Sequence, residues 1–158
     1  MDRIGLKLLE RELQEDCRVA ADVVHQARGR MKAGAPHGPE AAAFHLARLF
    51  NVIEGIALRV ARLFENHIDP DAGWHAELIR RLSLDIPGVR PAFWRDPLLI
   101  ADLRELRGFR HVVRHAYDLT VDPDRMTDLV DRADRVVAQL PTLCDEFIRE
   151  VSESLDQG

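Results

Sequence analysis

From the start of the chain, apolar or small residues recur in alternating steps of three and four: Leu6, Leu9, Leu13, Cys17, Ala20, Val24, Ala27 and Met31. That period is one face of an α-helix and predicts a long amphipathic helix over 3–33. Gly and Pro break the pattern in the stretch GAPHGP, and Pro39, pre-set in φ, suits the first turn of the next helix. A second helix is predicted from there to about residue 66, with Phe44, Leu46, Leu49, Val52, Ile53, Ile56, Val60, Leu63 and Phe64 as its apolar surface. Three Asp-Pro pairs follow, Asp69-Pro70, Asp96-Pro97 and Asp122-Pro123. An Asp side chain accepts the orphan N–H groups of a first turn and Pro has no N–H to leave unpaired, so each pair predicts a helix start. Between the first two lie a short helix, about 73–84, and a connector, 85–94, whose prolines exclude regular helix. A last helix of about 30 residues carries Met126, Leu129, Ala133, Val136, Leu140, Cys144, Phe147, Val151 and Leu155, with a kink expected at Pro141.

No segment alternates apolar and polar residues in the manner of a strand, and no Asn-Gly or Asp-Gly hairpin signal is present. The expected class is all-α: one domain over 1–158, an antiparallel bundle of four long helices and one short one. Hydrophobic residues at 46% and charged residues at 31% fit a folded globular chain. The net charge of -5 argues against coating nucleic acid or an anionic membrane by overall charge, and leaves local basic patches open. No continuous apolar run of spanning length occurs and the opening residues mix in charge, which predicts no membrane association and a cytoplasmic location. Cys17 and Cys144 fall on helical stripes without metal or redox spacing and read as buried free thiols.

The predicted helix 97–118 carries the candidate chemistry. At 100° per residue, Leu99, Leu103, Leu106, Val113 and Tyr117 lie within about 60° of Arg110, so a guanidinium shares the apolar face. There it needs a carboxylate, a helix end, a phosphate or solvent. Arg114, Arg107, His111, Arg104 and His115 follow round the cylinder and make a cationic strip on an acidic protein. Forked Arg donors and a His titrating near neutrality suit phosphate; a solvated face paired with Asp and Glu elsewhere is the plainer explanation. His111 and His115 are four apart, but no carboxylate or Cys in the motif supplies a third metal ligand. No metal or other cofactor is expected. Trp74, Phe93 and Trp94 read as packing residues, and His25, His37 and His45 as surface or boundary residues.

Arg and His five positions apart are common in so Arg-rich a chain, but Tyr117 is the single tyrosine. Residue counts give about 0.006 chance occurrences of Arg-x-x-x-x-His-x-Tyr, so its presence as RHVVRHAY (110–117) calls for an explanation. The motif resembles that of the HepT-like members of the HEPN group, toxin partners of minimal nucleotidyltransferases. GWHAELIRRLSLDIPGVRPAFW (73–94) and ELRGFRHVVRHAYDLTVDP (105–123) are similar to one HepT-like subgroup, and the likeness covers about 44–150, leaving residues 1–36 outside it.

The resemblance implies a helical homodimer with metal-independent endoribonuclease activity, in which Arg110 and His115 cleave RNA. It also implies neutralisation by a nucleotidyltransferase antitoxin that adds AMP to Tyr117. Arg107, His111 and Arg114 are expected to hold RNA phosphates. One departure stands out: His111 occupies a position that is commonly Asn or Asp in HEPN nucleases. The competing expectation is a non-catalytic HEPN dimer that binds nucleotide, RNA or a nucleotidyltransferase partner. A third is a helical scaffold whose Arg strip pairs with acidic residues of a neighbouring chain.

Overall fold

The computed structural model describes residues 2–64, 74–115 and 120–156, without the side chains of Trp74, His75, Arg114 and His115. Five helices follow in order: α1 (Arg3–Lys32), α2 (Gly38–Phe64), α3 (Trp74–Leu82), α4 (Pro97–His115) and α5 (Pro123–Asp156). This is the expected all-α arrangement of four long helices and a short one. Among the described residues β pairing is limited to a single bridge, Ile86 with Arg90, in the α3–α4 connector.

The helix ends follow their local chemistry. Asp2 caps α1 by accepting the Gly5 N–H at 2.7 Å. Asp96 accepts from the Leu98 N–H at 2.9 Å and Asp122 from the Asp124 N–H at 3.2 Å, so both Asp-Pro pairs start helices as expected. Asp69-Pro70 lies outside the described residues. The α1–α2 corner turns on Gly34, whose φ of 64° favours glycine. At Gly38 a Cβ would stand 2.7 Å from the Arg30 carbonyl oxygen, so the start of α2 can lie this close to α1 only with glycine there.

α2 is the central helix and packs against all four others. It is long and apolar enough by composition to cross a membrane, and half of its most apolar window is buried against neighbouring helices. The stripe predicted for α1 is buried from Leu6 to Ala27, with Met31 at the core's edge, and α1 shares one core with α2 and α5. Cys17 and Cys144 are buried and reduced, their Sγ atoms 3.8 Å apart between α1 and α5. The contact with Cys17 and burial push the Cys144 thiol up, which keeps it protonated. α5 runs through Pro141 as one helix. Three of α2's expected apolar residues lie at the core margin, Val52, Leu63 and Phe64, and one is a correction: Phe44 is 61% exposed.

The connector before α4 is pinned by aromatic and polar contacts. Phe93 and Trp94 are buried, and Phe93 meets Trp94 and Phe147 edge to face at 4.5 and 5.2 Å. Such pairs contribute about 1 kcal/mol beyond area burial. The buried Arg90 guanidinium donates to the carbonyls of Leu84 and Arg81, each at 3.0 Å, satisfying acceptors left over where α3 ends. The register of α4 on α5 is set by Asp102, which is 5% exposed and accepts from Arg132 at 2.9 Å and from Arg135 at 3.0 Å. A buried carboxylate so placed resists any sliding of α4 that would strip it of both donors.

Candidate active site on helix α4

Arg110 sits where the angular argument put it, on the side of α4 that meets α2. Its side chain is 17% exposed, its guanidinium carbon lies 5.5 Å from the centroid of the Phe50 ring, and Nη2 is 3.7 Å from Glu54 Oε2. The carboxylate that a guanidinium on an apolar face requires therefore comes from α2. Sequence reasoning missed Glu54, although it is the only acidic residue between 41 and 64. A lone acid in an otherwise apolar helix was the available signal.

Ala47, Asn51, Arg110 and Val113 line an open cleft of about 340 Å³ between α2 and α4. Arg110 meets positions 50 and 54 of α2, and Val113 shares the cleft with 47 and 51, so the two helices run antiparallel and α4 advances towards the start of α2. The aromatic face and the carboxylate hold the guanidinium plane while its cleft side can meet an anion.

The rest of the strip divides. Arg104 is exposed and lines a separate cleft of about 350 Å³ with Phe109, Val112, Val121 and Arg125, where Arg125 holds Glu105 at 2.8 Å. Arg107 is half-buried, with its Nε enclosed and without a hydrogen-bond partner among the described residues, so it is less exposed than Arg104 and His111. His111 is exposed. Arg114 and His115 close α4, but their side chains lie outside the described residues, as does Tyr117. Arg110 and His115 thus belong to one continuous helix, with no irregularity at Gly108 to bring them together. Among the described residues no cluster of His, Cys, Asp or Glu is arranged to hold a metal.

A family model described as HepT-like protein matches residues 41–151, which takes in the cleft, the connector and the whole motif. The chain belongs to the HepT-like family. Membership points to a HEPN toxin-type function in a family that is generally ribonuclease-related. Neither a curated protein nor a solved structure matches this HepT-like chain. The matched span begins inside α2, so α1 is the part of the core that lies outside it.

His45, expected at the surface or boundary, is buried at 8% exposure, and its Nδ1 is 3.5 Å from Arg48 Nη1. Burial first, and then the charges of Arg48 and Arg30, hold the imidazole below its ordinary value and so keep it neutral. The unfolded chain then binds the proton at a higher pH than the folded one. The contribution of His45 to stability is therefore complete above about pH 6.5 and is lost as pH falls through the lower folded value. Urea midpoints compared between about pH 7.5 and about pH 5.5 should fall further for the wild type than for His45→Gln. Equal falls would remove this role.

Proposed function

We propose that this HepT-like protein is a metal-independent endoribonuclease toxin in which Arg110 and His115 cleave RNA. The observation that carries the reading is the setting of Arg110: an enclosed guanidinium, oriented by Phe50 and Glu54, opening on a cleft inside the family-matched region.

In the proposed reaction the 2′-hydroxyl gives its proton to a base and attacks the adjacent phosphorus. The 5′-oxygen leaves with a proton from an acid, producing a 2′,3′-cyclic phosphate and a free 5′-hydroxyl. The imidazole of His115 can serve either proton transfer, since its ordinary pKa lies near working pH. Arg110 stabilises the charge that grows on the phosphoryl oxygens. Arg107, His111 and Arg114 hold neighbouring phosphates.

Positions five apart on a regular helix diverge by about 140°, so helix geometry by itself does not set Arg110 and His115 side by side. The proposal therefore includes a homodimer, in which a two-fold axis brings two copies of His115 to one cleft, one as base and one as acid. A nucleotidyltransferase antitoxin would silence the site by joining the α-phosphorus of ATP to the Tyr117 oxygen, with release of the hydroxyl proton and pyrophosphate. The new phosphate would then compete with RNA for the same guanidinium.

Intact-mass measurement after co-expression with a neighbouring nucleotidyltransferase tests this arm. One AMP added to wild type and none to Tyr117→Phe is the expected result. Equal modification of both would contradict it.

A further inference from the structure

We propose that Phe44, on the outer face of α2, is a stacking platform for an unpaired nucleobase of the RNA whose phosphate Arg110 holds. The idea rests on the ribonuclease reading and adds the strand form of the substrate.

Phe44 is out of place for a packing residue. It stands about 180° round α2 from the buried Ile53, and it is 61% exposed while its neighbours Ala43, His45 and Leu46 are buried. Its ring is not bare: the Arg48 guanidinium carbon lies 5.9 Å from the centroid, and the His45 ring meets it edge-on at 5.7 Å. The surroundings are cationic and polar, with Arg48 on the ring and the exposed Asn51 one turn further on. An exposed aromatic ring beside the Arg48 guanidinium matches the π-face of a base next to its phosphate, and is poorly suited to an apolar protein surface.

The same face of α2 leads into the cleft. Residues 44, 47, 48 and 51 fall within about 100° of arc, and Ala47 and Asn51 line the cleft with Arg110. Asn51 is about 10 Å along the axis from Phe44, a separation that one or two nucleotide steps of one strand cover. Because α4 advances towards the Phe44 end of α2, the strand would leave Arg110 in that direction. Stacking requires a base free of its complement, so the substrate class is single-stranded or looped RNA.

The test uses the full-length protein and a fluorescent single strand of about a dozen 2′-O-methyl nucleotides, whose blocked 2′-oxygen prevents cleavage. Phe44→Ala should weaken binding about tenfold and Phe44→Trp should restore it, since stacking of one base is worth a factor of that order. The slope of affinity against salt should be unchanged in Phe44→Ala, because no phosphate contact is lost. An abasic strand should bind wild type and Phe44→Ala alike.

Wild-type affinity in Phe44→Ala, with Arg110→Ala impaired, overturns the platform and leaves the ribonuclease reading standing. Failure of wild-type protein to bind the strand overturns both. A Phe44→Ala variant that sediments as a smaller species with unchanged RNA affinity makes Phe44 a contact between copies, and also overturns the platform.

Discussion

Replacing His115 by Ala is expected to lower RNA cleavage by about 10³-fold, a typical loss for a group that performs general acid–base catalysis. The magnitude has a specific origin in the proposed dimer, where the one substitution removes base and acid together. Rate against pH should be bell-shaped for the wild type, with one limb from each imidazole, because one copy must be neutral while the other is protonated. In His115→Ala both limbs should disappear from any residual activity. Thermal unfolding measured alongside separates lost chemistry from lost fold. Cleavage at the wild-type rate in a folded His115→Ala protein would remove His115 from the reaction.

The second large effect is expected at Arg110. Arg110→Lys keeps a positive charge but loses the fork and the flat surface that lies over Phe50, and the rate should fall about 10²-fold. Arg110→Ala should fall further and should also lower stability, because it takes a cation away from the enclosed Glu54 carboxylate. The Lys variant is therefore the cleaner probe of chemistry. Glu54→Gln should cost less, about tenfold, since in the proposed site Glu54 acts through the guanidinium. A loss at Glu54→Gln as large as at Arg110→Lys would mean that the carboxylate itself takes part.

The helices were legible because apolar spacing and Asp-Pro capping act locally. Asp96 and Asp122 cap α4 and α5 through bonds that span two residues, so sequence neighbours were enough to predict them. Arg110 was legible as a residue in need of a partner, since its angle on α4 depends on that helix alone. Its partner was not, because Glu54 arrives from another helix and the pairing depends on how α2 and α4 pack.

Phe44 was misplaced because residue type outweighed angle: its separation from Ile53 already put it on the far side of α2. By the same rotation His45 falls within about 40° of Leu49, on the buried side. Arg90 belongs to a connector without period. Its bonds to the carbonyls of Arg81 and Leu84 follow from the turn at Gly88, whose φ is 76°. The signals for the motif were of a different kind, since no packing rule requires Arg, His and Tyr at that spacing.

α1 lies outside the family match yet supplies much of the core through Leu9, Leu13, Ala20 and Val23, while among the described residues the cleft is lined from α2 and α4. Core and cleft thus meet on α2, whose buried face packs against α1 and whose other face presents Asn51 and Glu54 towards α4. A change that tilts α2 would alter stability and the orientation of Arg110 together.

The most direct measurement is incubation of purified wild-type protein with single-stranded RNA in excess chelator, with the new ends identified chemically. The expected fragments end in 2′,3′-cyclic phosphate and 5′-hydroxyl, form at the same rate with and without chelator, and are lost in His115→Ala. RNA left intact by protein freed of AMP, or fragments that form only when metal is supplied, would contradict it.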